Sequence, residues 1–502
     1  MGADDGALNG VAALLARAGA SWPDRIGVQE TASGAALTWA ELDAAANAQA
    51  RRLTKAGVSA GDRVALRLPT SADFAVSFFA AMRAGAIAVP SSPLAPLPEI
   101  AGLLEHSGAK IVIQREDAGE LPDGVTGLTP RASLDAPAAP IDSGRGDEDI
   151  AVISYTSGTT GPPRGVMLSH RALLANLDQL AHVDGTLMYE DRVLITIPMF
   201  HIYGLGPGLL QATSVGATAV LSERFEPRRT LDDCAVYEIT SVAGVPTMYA
   251  EFLALGADEF SQGMATVRRM MSGAAPLHPR LLSSIRQITG LDVFEGYGIT
   301  ECAPVVTSTL VTGYPKPGSV GRPLPGIELR LVDAGGDVDE VPLDPDEAGD
   351  IYETGGTGLV SIRGANLFSG YWPDGRDGPD EEGWFTTGDV GYVDTDGDLH
   401  LVDRANDLVI VNGFNVFPHE VEDVIGQLPE VAEAAVVGVV DERSGEAVKA
   451  FVVPAAGASL SEQQVVDHCA ANLAGYKVPH AIEFVESLPH TATGKLRRVK
   501  LR

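Results

Sequence analysis

The sequence contains few cysteines, no excess of basic charge and no long apolar segment. Cys234, Cys302 and Cys469 lie far apart without metal-ligand spacing, which predicts free thiols in a reducing cytosol. A formal net charge of −31 disfavours nucleic acid and anionic membrane surfaces as partners, because both would repel the protein. The longest apolar candidate, residues 74–89, is interrupted by Arg83, so no transmembrane segment is predicted.

From its first residues we expect no export or lipidation signal at the amino terminus. Its first residues are acidic and lack the basic region of a secretory signal, and Gly6 stands where a myristoylation signal carries Ser or Thr. We therefore expect a cytoplasmic protein. The length of 502 residues allows two or three domains, and 45% hydrophobic residues is ordinary for a globular chain.

Strand-like and helical patterns alternate in the first part of the chain. A capping box at Thr38 and Glu41 begins one helix. Further on we expect strands at 63–68, 86–89 and 110–114 and helices at 72–84 and 97–106. This alternation predicts parallel strands joined by right-handed crossovers. It resumes with strands expected at 193–197, 218–221, 241–245 and 268–272.

The pattern changes twice in the second half. Short alternating runs between residues 318 and 401, separated by Gly/Asp turns, predict an antiparallel sheet or small barrel. Residues 394–398 fail the EF-hand spacing and predict an Asp-Gly hairpin turn instead. Beyond Asp407 the pattern indicates a compact α+β unit, so we predict two domains, 1–404 and 405–502.

A stretch rich in glycine and hydroxyls, residues 155–165, follows the apolar run 150–153. Backbone N–H groups and hydroxyls in such a loop can hold a phosphate, and Arg164 adds a fixed positive charge. A Walker-type loop is disfavoured, because Gly158 and Gly161 are too close and no Gly-Lys-Ser/Thr follows. An ordinary surface loop remains open as the alternative.

Two acidic residues end glycine-containing motifs further along. A carboxylate beside a phosphate site would be repelled unless a cation lay between them, so Glu301, after a predicted double-glycine turn, is a candidate Mg²⁺ ligand. Asp389, at a predicted tight turn, could accept the two hydroxyls of a ribose. A solvated glutamate and a β-turn aspartate are the alternatives. By residue type alone, His201 is a core histidine and Lys495 a solvated tail lysine.

Taken in order along residues 37–495, these motifs resemble those of the adenylate-forming superfamily, which includes acyl-CoA synthetases, peptide-synthetase adenylation domains and luciferases. Residues 409–418 and 490–495 look most like fatty-acid CoA ligases of actinobacteria. The resemblance implies an α/β fold with a large N-terminal domain, a small barrel-like antiparallel sheet and a small mobile α+β C-terminal domain. It also implies an acid–thiol ligase that forms an acyl-adenylate from ATP and then an acyl-CoA.

The resemblance assigns ATP-binding roles to several motifs. Tyr297 would pack on adenine, Thr300 would bond the α-phosphate, Glu301 would hold Mg²⁺, and Asp389 would bind the ribose. The full set of implied nucleotide-binding residues is Thr156, Ser157, Gly158, Thr159, Thr160, Gly161, Arg164, Gly273, Ala274, Ala275, Glu295, Gly296, Tyr297, Gly298, Thr300, Asp389, Arg404 and Lys495.

The resemblance also makes Lys495 the catalytic lysine of the adenylation step. Its ammonium would neutralise charge while a carboxylate attacks the α-phosphorus of ATP. The small domain would then rotate about Asn406, and the loop containing Gly413 and Phe414 would serve thioester formation. Two positions depart from the family pattern: Asn406 stands where Lys or Asp is usual, and Arg164 where Lys is usual.

By the same resemblance, His201 borders the pocket for the acid. Its surroundings are apolar and lack a nearby cation or acid, which favours a fatty or aryl acid over a dicarboxylate or an amino acid; they comprise Met199, Ile202, Leu205, Val245 and Met248. Two alternatives remain open. The acyl group could pass to the phosphopantetheine of a carrier protein instead of CoA, or the chain could be a non-catalytic relative that binds acyl chains or nucleotide.

Overall fold

The computed structural model describes residues 10–130, 141, 144–156, 164–332, 357–404, 407, 409–411, 414–441, 445–491 and 495–501. The chain forms two compact units, and each is discontinuous in sequence. The first comprises Met1–Glu328 and Arg363–Phe385, and the second comprises Leu329–Ile362 and Thr386–Arg502. The domain division after residue 404 stays a prediction. Within the described ranges, every helix is too short or too polar to cross a membrane.

The first unit contains two sheets covered by helices. Its described strands are β1 Ile26–Glu30, β2 Ala36–Thr38, β3 Arg63–Arg67, β4 Ile87–Ser91, β5 Ile111–Gln114, β6 Thr126–Leu128, β7 Ile150–Thr156, β8 Arg164–Ser169, β9 Arg192–Ile195, β10 Thr218–Leu221, β11 Ser241–Gly244, β12 Arg269–Ser272, β13 Val293–Gly298, β14 Val305–Ser308 and β15 Arg322–Pro323. Its described α-helices are α1 Ala12–Ser21, α2 Trp39–Lys55, α3 Ala72–Arg83, α4 Leu97–Ser107, α5 His170–Ala181, α6 Gln211–Val215, α7 Pro227–Val236, α8 Pro246–Ala254, α9 Ala257–Gly263 and α10 Pro279–Thr289.

The six-stranded sheet has the order β6-β5-β3-β4-β7-β8. β3 pairs in parallel with both β4 and β5, and α3 and α4 connect these strands, so the predicted β-α-β-α-β order is confirmed. The predicted capping box is confirmed at the start of α2. The Thr38 hydroxyl accepts from the Glu41 amide, and the Glu41 carboxylate accepts from the Thr38 amide. Trp39 and Phe74 are fully buried in the same apolar core cluster.

The nine-stranded sheet has the order β15-β14-β13-β12-β11-β9-β10-β1-β2. From β13 to β1 the neighbouring strands are parallel. The carboxyl ends of β9, β11, β12 and β13 therefore lie along one edge, where parallel α/β sheets usually bind ligands. The four strands predicted between residues 193 and 272 are confirmed as β9 to β12.

The predicted double-glycine turn after Phe294 is wrong. β13 continues to Gly298 and pairs with β14 in antiparallel fashion. A Cβ atom added at Gly298 would lie 2.1 Å from the carbonyl oxygen of Pro304. Glycine is therefore required here because two backbones approach closely, and not because the chain turns.

The described part of the second unit contains two further sheets and two α-helices. Its described strands are β16 Ile327–Val332, β17 Gly358–Gly364, β18 Trp384–Val393, β19 Leu399–Arg404, β20 Val409–Val411, β21 Phe414–Val416, β22 Val431–Asp441, β23 Gly445–Pro454 and β24 Ala481–Phe484. Its described α-helices are α11 Pro418–Ile425 and α12 Glu462–Asn472. The sheets have the orders β16-β17-β18-β19 and β21-β20-β23-β22, with β24 parallel to β23. The boundaries between the units fall within β16, β17 and β18.

Two features of the four-stranded sheet bear on the predictions. The Asp-Gly hairpin turn is confirmed between β18 and β19, where the Gly397 amide donates to the Asp394 carbonyl at 2.9 Å. The predicted tight turn at Asp389 is wrong, because this residue lies inside β18. In the antiparallel register Asp389 is opposite Arg404.

Candidate active site

The predicted phosphate loop begins in β7 and ends in β8, and these two strands pair in antiparallel fashion. Thr156 and Arg164 stand opposite each other at its base. β8 is buried from Gly165 to Ser169, so this strand pair belongs to the core sheet. Outside the described residues lie Ser157, Gly158, Thr159, Thr160 and Gly161.

Tyr371 connects Arg164 to Glu301. The guanidinium carbon of Arg164 lies 3.5 Å from the centroid of the Tyr371 ring, a cation–π contact, and Arg164 also pairs with Asp377. The Tyr371 hydroxyl donates to Oε1 of Glu301 at 2.7 Å. Burial and then the charge of Glu301 raise the pKa of Tyr371, so the hydroxyl keeps its proton and remains a donor. The predicted phosphate-loop cation and the predicted metal ligand thus contact one side chain.

Backbone pairing explains why this tyrosine lies here. The segment 368–372 runs beside β8 and exchanges backbone hydrogen bonds with Gly165 and Met167 at 2.8 to 3.1 Å. At its start the Phe368 amide donates to the carbonyl of Glu301 at 2.9 Å. Sequence reasoning missed the tyrosine because it belongs to no recognised motif. The only sequence signal is a cluster of aromatic residues around a glycine in this segment.

The loop of Gly273, Ala274 and Ala275 follows the carboxyl end of β12. Ala274 has a φ of +66°, in the left-handed region. Beyond the loop, the Leu277 amide donates to Oε2 of Glu295 on β13 at 3.1 Å. Burial raises the pKa of Glu295 to about 8. This carboxyl group therefore holds the loop against β13, and its predicted contact with nucleotide stays a prediction.

The end of β13 carries the other nucleotide-binding candidates of the first unit. Tyr297 is buried and lies two residues beyond Glu295, so both side chains are on one face of the strand. Gly296 pairs with Ser308 of β14. Thr300 and Glu301 follow in a short 3₁₀ turn, Thr300–Cys302.

An apolar cluster lies at the carboxyl ends of β9 and β11; it comprises Ile197, Val245 and Met248, with Tyr203 and Phe225 packed against them. Gly273 approaches this cluster closely, because a Cβ atom there would lie 3.2 Å from the Tyr203 ring. His201 is half-buried, and its Nδ1 atom accepts from the Tyr203 amide at 3.2 Å. The structure thus brings His201, the apolar cluster and the loop after β12 to the same edge.

The remaining candidates belong to the second unit. Asp389 is buried, and its amide donates to the Thr387 hydroxyl at 3.1 Å. Arg404 is its register partner on β19. The Lys495 amide donates to the Thr491 hydroxyl at 3.0 Å, and the Lys495 carbonyl accepts from the Thr491 amide at 2.8 Å.

The predicted hinge and thioester loop are described only in part. Asn406 and Gly413 lie outside the described residues. Phe414 begins β21 and pairs with Val411 of β20. The roles of all three residues stay predictions.

Comparisons with known proteins agree with this architecture. Residues 15–372 match the family of AMP-binding enzymes, and residues 420–495 match the C-terminal domain of AMP-binding enzymes. The fold and the order of the motifs define an adenylate-forming protein. The chain belongs to the AMP-binding enzyme family.

The names of similar proteins indicate which reaction the chain catalyses. A feruloyl-CoA synthase of Amycolatopsis sp. is 36% identical over 96% of this chain and 98% of its own length. A long-chain-fatty-acid–CoA ligase of Yersinia pestis is 32% identical over 93% of this chain and 90% of its own length. The crystal structure of ATP-bound MatB from Rhodopseudomonas palustris has a TM-score of 0.87 and 32% identity, covering 98% of each chain. The chain is accordingly an AMP-forming acyl-CoA synthetase that uses ATP and CoA.

Proposed function

We propose that the chain activates an apolar acid, either a fatty acid or an aryl acid, and joins it to CoA. The acid carboxylate attacks the α-phosphorus of ATP, forming the acyl-adenylate and releasing pyrophosphate. The thiol of CoA then attacks the acyl carbonyl, and AMP leaves. A carrier protein is the second candidate acceptor of the acyl group. The cytoplasmic location of the protein stays a prediction.

The observation that carries this proposal is the apolar cluster at the carboxyl ends of β9 and β11. Ile197, Val245 and Met248 are each no more than 5% exposed, and Tyr203 closes the cluster beside Gly273. An acyl group that packed against these side chains would be stabilised by roughly 25 cal/mol per Å² of apolar surface removed from water. The described side chains of this cluster are all uncharged, which supports an acid without a second carboxylate.

The contacts of Glu301 suit a magnesium ligand. Tyr371 donates to Oε1, and within the described part of the chain no donor reaches Oε2. A half-exposed carboxylate oriented by a neighbouring hydroxyl is a donor set that Mg²⁺ accepts. When bound, Mg²⁺ would neutralise charge on the phosphates. Arg164, held over the Tyr371 ring, would bind phosphate oxygens nearby.

The second unit supplies the remaining roles in this proposal. The Lys495 ammonium neutralises charge on the transferring phosphorus and on the departing pyrophosphate. Asp389 accepts the ribose hydroxyls, and its register partner Arg404 lies beside it on the adjacent strand. Asn406 is the pivot between the two half-reactions, and the loop with Gly413 and Phe414 serves the second.

A screen of pyrophosphate release tests the substrate class. The acids are straight-chain fatty acids of graded length, hydroxycinnamic and benzoic acids, malonate and amino acids, each with CoA or a phosphopantetheinylated carrier protein. We expect fatty or aryl acids with CoA to give the highest rates. Preference for malonate or amino acids, or background release with every fatty and aryl acid, would refute the proposed substrate class.

Lys495→Ala tests the catalytic assignment. Loss of one transition-state donor typically costs about 100- to 1000-fold, so pyrophosphate release should fall by that factor. Thioester formation from supplied acyl-adenylate should be largely retained. Equal losses in both half-reactions would contradict the assigned role.

A further inference from the structure

Residues 489–491 and 495–497 pair with each other and form the base of the tail loop that carries Lys495. His490 and Leu496 face each other as an antiparallel bridge, and the Arg497 amide donates to the Pro489 carbonyl at 2.8 Å. These contacts at the base and the two hydrogen bonds between Thr491 and Lys495 fix the backbone of the lysine relative to the base of the loop. Whatever anchors the base therefore positions Lys495.

A partly buried ion pair anchors this base on its carboxyl-terminal side. Nη2 of Arg498 donates to both oxygens of Glu422 on α11, at 2.6 and 2.8 Å. The Arg498 and Glu422 side chains are 16% and 10% exposed. Nη1 of Arg498 lies 3.7 Å from Oδ2 of Asp407, which follows the predicted hinge. One guanidinium group thus joins the tail, α11 and the chain just after the hinge.

Glu422 is itself firmly held. The Val436 amide of β22 donates to its Oε1 at 2.7 Å, and Nδ1 of His419 lies 3.3 Å from its Oε2. Burial acts to raise the pKa of Glu422, but hydrogen bonds and charges from His419 and Arg498 lower it below its ordinary value. The carboxylate therefore stays ionised, and its position is set by α11 and β22.

We propose that Arg498 is a positioning residue for adenylate formation: by binding Glu422 and Asp407 it holds the tail loop in the register that places Lys495 for the first half-reaction. The inference depends on the proposed function, since it assigns Arg498 to the same lysine-dependent step. Arg498 need not touch substrate. Buried ion pairs are best attested as devices that fix register, and an arginine fork suits this because it binds carboxylates in one geometry.

The predicted effect follows from the sensitivity of catalysis to placement. A shift of about 1 Å in a reacting group can cost roughly 100-fold in rate. Arg498→Met keeps the apolar stem and removes the fork, so the rate of pyrophosphate release should fall about 10- to 100-fold. The KM for ATP should change by less than about twofold, and thioester formation from supplied acyl-adenylate should be nearly unchanged. Arg498→Lys keeps the charge, so its rate of pyrophosphate release should lie between those of Arg498→Met and the wild type.

The decisive experiment is a double-mutant cycle in the full-length chain. If Arg498 acts only through Lys495, then Lys495→Ala/Arg498→Met should release pyrophosphate as slowly as Lys495→Ala, within about twofold, because effects of residues that act as one unit do not add. Lys449→Met is the control. It removes an ion pair with Glu483 at 2.8 Å in the same unit and should leave both half-reactions unchanged.

Each outcome of these measurements either supports or overturns the inference about Arg498. Three results would overturn the inference and leave the proposed function intact. They are multiplicative effects in the cycle, a wild-type rate of pyrophosphate release in Arg498→Met, and equal losses in both half-reactions. A wild-type rate in Lys495→Ala would refute the lysine step and the inference with it. If Arg498→Met fails to fold because Glu422 is left unpaired, Glu422→Gln/Arg498→Met removes both charges and carries the same expectation.

Discussion

Removal of a single hydroxyl, in Tyr371→Phe, tests whether Tyr371 orients Glu301. The ring that supports Arg164 remains, and only the 2.7 Å hydrogen bond to the carboxylate is lost. Hydrogen bonds to charged groups contribute about 1.5–3 kcal/mol, and the half-exposed setting argues for the lower end. About 1.5 kcal/mol corresponds to roughly a tenfold change in an equilibrium constant.

The assay is pyrophosphate release titrated with Mg²⁺ at fixed ATP and acid. We expect the half-saturating Mg²⁺ concentration for Tyr371→Phe to rise about tenfold, as is typical when a partner of a metal ligand is removed. Tyr237→Phe is the control, because its hydroxyl makes a 3.4 Å contact with Thr31 in the same unit. An unchanged Mg²⁺ dependence and rate in Tyr371→Phe would refute the reasoning.

Three further predictions concern stability. Burial raises the pKa of Glu295 from 4.5 to about 8, so between these pH values the folded protein keeps a proton that the unfolded chain releases. The free energy of unfolding should therefore fall as pH rises through this range. In urea denaturation, Glu295→Gln should show a smaller fall of the unfolding free energy with pH. Gly298→Ala places a Cβ atom 2.1 Å from a backbone oxygen and should lower the thermal midpoint by several degrees, whereas Gly102→Ala on an open helix surface should be neutral or stabilising. Asp191 is fully buried between two arginines at the amino ends of the strands, so Asp191→Asn should cost about 3–5 kcal/mol in chemical denaturation while KM values stay unchanged.

Local patterns determined which parts of the fold could be predicted. The capping box at Thr38 and the alternating strands and helices up to residue 114 depend on neighbouring residues, and the structure confirms both. Gly298 misled the prediction because glycine is rare in strands, yet here a close approach of two backbones requires it. Asp389 was misplaced for a similar reason, since the preceding glycine suggested a turn.

The contacts of the candidate site were harder to predict. Tyr371 reaches Arg164 and Glu301 through pairing with β8, and no periodicity or spacing encodes pairing between segments so distant in sequence. The ion pair between Arg498 and Glu422 was equally hard to predict, because the residues of a basic tail are normally expected to be solvated. The motif residues themselves were recognisable as a set by family resemblance, whereas the side chains that orient them were not.

The segment 368–372 also has a consequence for how the chain is made. β8 is the outermost strand of the six-stranded sheet, and this segment covers its free side. Bare strand edges are templates for association with other chains. A nascent polypeptide would leave this edge open until residue 372 had emerged from the ribosome, and a fragment truncated at Glu328 would expose it permanently. An incomplete translation product would therefore expose the β8 edge that the later segment covers in the full chain.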